Sequence, residues 1–289
     1  MGLGLTGAHA ALPAPGPLMA REFFARPAPQ VGPELLGCVL RHRTAAGTVS
    51  AVIVETEAYT GESDPASHAF RGQTARNAVM FGPPGHAYVY FSYGMHFCVN
   101  LVCLPAGTAS AVLLRAGRVI DGAGLAAARR SARRSAGRAA DLARGPGRLC
   151  QALGIDRQLD GADICAAGSP LQLLAPAWPA PGQPPGGPRE DSQAPGSWPE
   201  DGWPLAADWI SSGPRVGVSR AAEVAWRFWI TGEPAVSPYR PSVPRRSRAA
   251  SGQAAPAAGR AGSPGQPGPA SGRPKPISGQ PAGDETMPR

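Results

Sequence analysis

Lysine is almost missing from this chain. Of 28 lysines and arginines together, the only lysine is Lys275, close to the C-terminus; the others are arginines. A Walker-type phosphate loop is therefore excluded from the body of the chain, and so is a Schiff-base lysine nucleophile. No uninterrupted apolar run reaches the roughly 18 residues that a membrane-spanning helix requires. Five histidines occur without an H-E-x-x-H pair, so neither a metal site nor a metal is expected. Cysteine is sparse and odd in number: Cys38, Cys98, Cys103, Cys150 and Cys165, with no C-x-x-C spacing. Residues 1–20 lack a charged start and place Pro13, Pro15 and Pro17 inside the would-be apolar stretch, which does not fit a secretory signal. Buried free thiols in a reducing cytoplasm are the expectation. Met1, Gly2 and Thr6 match a loose myristoylation pattern, which is set aside as chance.

Glycine and proline are abundant instead: 38 and 34 of 289 residues, about a quarter of the chain, beside 43% hydrophobic residues. Those two facts agree if a globular domain carries low-complexity additions. The net charge of +8 suits a polyanionic partner. A GC-rich genome would give the same arginine excess.

Residues 1–17 read as a disordered N-terminal tail and 18–240 as one domain. Residues 176–204 form a Pro/Gly-rich insertion in it. Residues 241–289 have almost no large apolar side chains and are expected to be disordered, because they bury too little surface to offset their ordering entropy. Within the domain, Arg21 to about Leu40 reads as a helix and Val49 to Glu57 as a strand. Residues 60–85 read as a long loop of the kind that carries function. Three strands are expected at His86–Tyr93, Phe97–Cys103 and Ser110–Ala116, and a helix at Gly124–Gly137. Gly145-Pro146-Gly147 opens a short helix through Leu153, and Arg215–Ser219 and Trp226–Thr231 read as closing strands.

Chemistry concentrates in residues 55–100. Glu55 and Glu57, two apart on a strand, point to the same face. A carboxylate at a strand end can act as a base, although spacing alone favours a loop cap or an ion pair. Four of five tyrosines lie here: Tyr59, Tyr88, Tyr90 and Tyr93. They are suited equally to a core or to stacking on a nucleobase. Arg115 ends the strand A-V-L-L-R, as an anion ligand or an ordinary ion-pair partner. Gly145–Arg148 is read either as an anion-binding helix start or as a plain turn.

The runs V-E-T-E-A-Y-T-G-E-S-D-P-A-S-H (54–68) and T-A-R-N-A-V-M-F-G-P-P-G-H-A-Y-V-Y-F-S-Y-G-M-H-F-C-V-N (74–100) resemble the alkyladenine (3-methylpurine) DNA glycosylase family. V-L-L-R-A (112–116), G-P-G-R-L-C-Q-A-L-G-I (145–155) and P-R-V-G-V-S-R-A (214–221) are similar to further blocks of it in the same order. The resemblance spans roughly residues 20–240. It implies a single mixed α/β domain round a curved, largely antiparallel sheet with flanking helices. It also implies a monofunctional base-excision repair enzyme without metal or organic cofactor. By this resemblance Glu57 is the general base that activates water and Arg115 helps to position that water. Tyr59 and His68, with Tyr90 opposite, enclose the extruded base. Asn100 lies at the purine edge and disfavours guanine's 2-amino group, and Val218 lies at the base of the site. Tyr93 is the minor-groove wedge, and Arg76 and Arg148 sit near phosphate. The implied partner is double-stranded DNA carrying damaged purines, met by a monomer at the nucleoid. Ala75 stands where the family commonly has proline.

The residues agree with these roles. A base within a duplex must be extruded before it can be reached, and a wedge offsets part of that cost. An aromatic pocket favours cationic alkylpurines through its ring faces. Lack of lysine in the folded part points to water, not an amine, as nucleophile. Two rivals are a glycoside hydrolase using Glu55 with Glu57, disfavoured because one strand seldom flanks a sugar from both sides, and a lesion-binding protein without catalysis. Composition alone sets one test: removing residues 241–289 should leave the melting temperature unchanged, and a clear fall would show that the tail folds onto the domain.

Overall fold

The computed structural model describes residues 14–92, 94–131, 138–177, 205 and 207–242. Nine strands are found among them: β1 (Ala14–Leu18), β2 (Val39–Thr44), β3 (Gly47–Tyr59), β4 (Ala87–Ser92), β5 (His96–Val102), β6 (Ala111–Asp121), β7 (Leu171–Ala177), β8 (Ile210–Gly213) and β9 (Arg227–Ile230). The described α-helices are α1 (Ala28–Glu34), α2 (Ala123–Ser131) and α3 (Pro146–Leu153). The strands form one antiparallel sheet in the order β1-β7-β2-β3-β6-β5-β4, and β8 and β9 attach along β3. The fold is thus mixed α/β round a largely antiparallel sheet that does not close.

β3 is the spine. Its stretch A-V-I-V has no alternation, which fits a strand covered on both faces, and every residue from Val49 to Ala58 is buried. Its first half pairs with β2, whose last partner on this side is Val39 opposite Val52. Beyond that point β9 takes over the same edge, with Glu55, Thr56 and Glu57 opposite Trp229, Phe228 and Arg227. On the other edge the register to β6 slips three times, first between Ser50 and Ala51 and then twice near the end of β3, where Ile53 faces Gly117, Glu55 faces Ala116 and Thr56 faces Leu114. Val54 on β3 and Arg115 on β6 are the extra residues there. Such bulges bend a strand and redirect side chains.

The main core lies between this sheet and the helices, with Leu35, Leu36, Ile53, Leu101, Leu114, Leu149 and Leu153 fully buried. α1 packs on β3, and α3 on β5 and β6. A smaller cluster of Ala69, Met80, Tyr88, Val102, Ala109 and Ala111 lies under the 60–85 segment. That segment is less loop-like than its composition suggests. It holds 3-10 turns at Gly61–Ser63 and Ala78–Phe81, and buried Asn77 donates to the carbonyls of His68 and Gly72.

Several expectations are corrected. No single helix runs from Arg21 to Leu40. A 3-10 turn (Arg21–Phe24), α1 and the start of β2 divide that stretch, because Pro27 precedes α1, Pro33 interrupts it and Gly37 turns the chain at φ 89°. Residues 215–219 are not a strand but a turn-rich loop, with Gly217 at φ 73°. The closing hairpin is β8 with β9. The expected N-terminal tail shortens, since β1 pairs with β7. β6 runs on to Asp121, well past the expected end at Ala116. Of the helix expected over 124–137, residues 132–137 lie outside the described residues, as do 178–204 of the insertion and 243–289 of the tail. Cys38, Cys98, Cys103 and Cys150 are buried free thiols, while Cys165 is partly exposed. Among the described residues no helix is long and apolar enough to cross a membrane.

Gly61, which turns the chain out of β3 toward the site, has φ 71°, and an added Cβ would fall 2.0 Å from the Ala109 carbonyl oxygen. Gly61→Ala should therefore destabilise the protein by about 2 kcal/mol, read from urea unfolding; an unchanged midpoint would show that the turn relaxes freely.

Candidate active site

At the C-terminal end of β3 the two bulges aim three charged side chains inward. Glu55 and Glu57 point to the same side, while Thr56 between them donates to the Gly32 carbonyl on the other face. Arg115 lies between the two carboxylates, its Nε 2.8 Å from Glu55 Oε1 and its Nη1 3.2 Å from Glu57 Oε1. Both carboxylates are fully buried.

The two acids differ in what surrounds them. Glu55 is saturated: it accepts from Arg115 Nε, from Arg227 Nε at 2.7 Å, and from the backbone N–H and hydroxyl of Ser237 at 2.8 and 2.9 Å. Burial alone would raise its pKa, but Arg115, Arg227 and the Ser237 N–H outweigh burial and hold it below the ordinary value. Glu57 faces a cavity of about 730 Å³. Its Oε1 accepts from the Val216 N–H at 2.6 Å and from Arg115, and its Oε2 accepts from the Tyr59 hydroxyl at 2.8 Å. A carboxylate oxygen has two acceptor positions, so Oε2 keeps one for a further donor. Burial works against the charge on Arg115, but Glu57 and Glu55 more than compensate and raise its pKa.

The cavity walls are aromatic and mostly uncharged. Tyr59, His68, Tyr90, Asn100 and Val218 line it with Glu57 and Arg115, and Arg76 stands at its exposed rim. Tyr88 and Tyr90, two apart, share a face of β4, their rings stacked at 5.5 Å. His68 does not face Tyr90 across the cavity. The two rings touch edge-to-face at 4.5 Å and form one wall, and buried Asn77 folds the 68–77 loop by donating to the His68 and Gly72 carbonyls. The His68 Nδ1 is also 3.2 Å from the Tyr88 hydroxyl. Burial, with Arg76 nearby, lowers the His68 pKa and keeps the ring neutral. Burial likewise raises the pKa values of Tyr59 and Tyr90, so both phenols stay protonated. Asn100 Nδ2 donates to the Tyr88 carbonyl, leaving its Oδ1 for the cavity.

One expected residue stands apart. Arg148 lies on α3 outside the cavity lining, half exposed and 3.9 Å from Asp141; its helix reaches the cavity through Pro146. Tyr93 lies outside the described residues. Its neighbour Ser92 lines the cavity, and Phe91 and Met95 of the same hairpin are exposed.

A family model described as methylpurine-DNA glycosylase matches residues 22–234. The chain belongs to the methylpurine-DNA glycosylase family. It is 51% identical, over 80% of its length and 95% of the relative's, to a Streptomyces avermitilis protein named as a 3-methyladenine DNA glycosylase. A Leifsonia xyli protein bearing the same name is 48% identical over 76% of this chain and 92% of its own. One from Mycobacterium tuberculosis is 43% identical over 75% and 92%. The chain is accordingly a DNA glycosylase of the 3-methyladenine type, and its substrate is DNA.

Sequence reasoning missed the supports of this methylpurine-DNA glycosylase site: Asp64, Arg215, Val216, Arg227 and Ser237. Arg227 sits in W-R-F-W, where a charge between large apolar residues on a strand is itself a signal of a buried ion pair. Nothing in the sequence marks Ser237. Because the Glu55 pKa is depressed in the folded protein, its stabilisation is present above the unfolded value near 4.5 and is lost as pH falls through the lower folded value. Glu55→Gln should remove that part of the acid-side slope in stability measured against pH. It should also destabilise the protein near neutrality by about 3 kcal/mol, since Arg115 and Arg227 then share one carboxylate. A variant with wild-type slope would show that another carboxylate governs it.

Proposed function

We propose that this glycosylase extrudes alkylated or deaminated purines, including 3-methyladenine, 7-methylguanine, hypoxanthine and ethenoadenine, from duplex DNA in base-excision repair. Glu57 activates the water that cleaves the N-glycosidic bond. The observation that carries this reading is that Glu57 lines, beside Arg115, a cavity walled by Tyr59, His68, Tyr88 and Tyr90. A water held there donates one proton to Glu57 and directs its oxygen to C1′ of the flipped nucleotide. The C1′–O bond forms, the C1′–N bond breaks, its electron pair leaves with the base, and the water's proton passes to Glu57. Arg115, fixed by Glu55, has N–H groups left to orient the water.

The cavity suits such bases. A purine methylated at N3 or N7 carries a positive charge, and ring faces attract cations. Neutral His68 and protonated Tyr59 and Tyr90 add no opposing charge. The cation departs as a neutral base and needs little help, whereas hypoxanthine must be protonated on leaving and relies more on the activated water. In this reading Asn100 and Val218 bound the purine edge, Tyr93 fills the gap in the stack, and Arg76 and Arg148 attract phosphate. The enzyme acts as a monomer at the nucleoid, without lyase activity.

The test is single-turnover base release from two labelled duplexes, one treated with a methylating agent and one carrying hypoxanthine. Wild type should leave an alkali-sensitive but uncleaved strand. Glu57→Gln should bind both duplexes and release base about 10²- to 10⁴-fold more slowly. Binding without release by wild type would make the site a lesion-recognition surface instead, and turnover retained by the variant would remove Glu57 from the role of base.

A further inference from the structure

One arginine that does not face the cavity touches every segment of one side of it. Arg215 is fully buried, with no exposed side-chain surface. Its Nη1 donates to the Ala58 carbonyl at 3.0 Å, at the end of β3 between Glu57 and Tyr59. Its two Nη atoms grip both oxygens of Asp64, which is buried as well. Nη2 also reaches the Ala221 carbonyl at 3.4 Å. The guanidinium lies 4.7 Å over the Tyr59 ring and 5.3 Å over the Trp226 ring. Tyr59 lines the cavity and Arg215 does not, so the arginine covers the ring from behind.

Each contact leads to a cavity residue one or two positions away. Ala58 precedes Tyr59, whose hydroxyl donates to Glu57. Asp64 accepts from the N–H groups of Thr60 and Ala66 and so shapes the segment that continues into Pro65, Ser67 and His68 at the wall. Val216, the next residue after Arg215, donates its N–H to Glu57 at 2.6 Å and opens the 216–220 loop that also lines the cavity. Stability is a poor reason for this arrangement. A buried ion pair is often no better than apolar packing of the same volume, and the Nε of Arg215 has no hydrogen-bond partner, which adds a cost. What the planar, five-donor guanidinium provides, and an apolar or ammonium side chain cannot, is simultaneous fixed geometry to two backbones, a carboxylate and a ring face.

We propose that Arg215, clamped by Asp64, is a positioning residue: it holds the Tyr59 ring and the Val216 N–H so that Glu57 and the base-stacking wall stay in register. It touches neither the base nor the water and acts through Tyr59 and Val216. The proposal rests on the excision reading given above.

Two variants test it: Arg215→Lys, which keeps the charge but loses the fork and the flat stack, and the pair Asp64→Leu with Arg215→Met, which replaces the ion pair by apolar packing. Three quantities are read for each: melting temperature, affinity for an undamaged duplex, and single-turnover base release from the hypoxanthine duplex. The expected result is unchanged duplex affinity with release slowed about 100-fold, the scale set by a misplacement of about 1 Å at a reacting centre. The paired variant should recover the wild-type melting temperature without recovering the rate. Release that returns in step with melting temperature, or a wild-type rate in Arg215→Lys, would overturn the proposal. Unfolding of both variants would do the same by giving the pair a purely structural role. Wild-type protein assayed alongside separates these results from failure of the excision reading, in which wild type too releases no base.

Discussion

The site depends on one buried guanidinium held between two buried carboxylates. Burial disfavours the charge on Glu55, and two carboxylates side by side in low dielectric need positive charge beside them. Arg115 lies between them, and Arg227 adds a second positive charge against Glu55. Two carboxylates and two guanidiniums make a neutral cluster. Ser237 donates two more hydrogen bonds to Glu55. The division of labour follows from this count. Glu55 uses its acceptors on structure, so Arg115 is fixed. Glu57 is held by three donors and lines the cavity. Neighbouring carboxylates of the same residue type thus differ in role because of what surrounds them.

That cluster exists only because the sheet is irregular where β3 meets β6. In a regular ladder successive residues alternate faces, and Arg115 would have a fixed partner on β3. The two register slips leave Arg115 as the extra residue beside Glu55 and Thr56. The exchange of β2 for β9 along the same edge of β3 brings Arg227 opposite Glu57 at that point. Two strands far apart in sequence, β6 and β9, therefore converge on two residues of the spine.

What the sequence disclosed follows from how local each feature is. β3, β4 and β5 are legible because their apolar and aromatic runs are continuous. Tyr88 and Tyr90 share a face by simple alternation. Glu57 was singled out by motif, and its position two residues from Glu55 carried the shared face. The N-terminal helix was misread because apolar Leu35, Leu36, Val39 and Leu40 satisfy a helical period while Pro33 and Gly37 set the boundaries. Residues 215–219 were misread as a strand because Arg-Val-Gly-Val alternates, although its glycine turns the chain and its arginine is buried by an ion pair. His68 against Tyr90 was beyond reach, since it depends on how Asn77 folds the 68–77 loop. Partners 150 to 180 residues distant, such as Arg215 for Asp64 or Ser237 for Glu55, leave no periodic trace at all.

The distribution of parts between sheet and loops has a chemical consequence. Glu57 and Arg115 stand on strands locked by ladder hydrogen bonds and by the buried cluster, whereas His68, Arg76 and Val218 stand on loops. Groups on regular elements are held more closely than groups on loops, and loops tolerate change. In the proposed reaction water activation needs fixed geometry whichever base leaves, while fit to a given base varies with its substituents. A side chain changed in the 65–76 or 216–220 segment alters the cavity wall without moving Glu57. Tyr59 is the exception: it is the last residue of β3, its hydroxyl bonds to Glu57 and its ring lines the cavity. It joins the two layers, so a change there touches recognition and chemistry together.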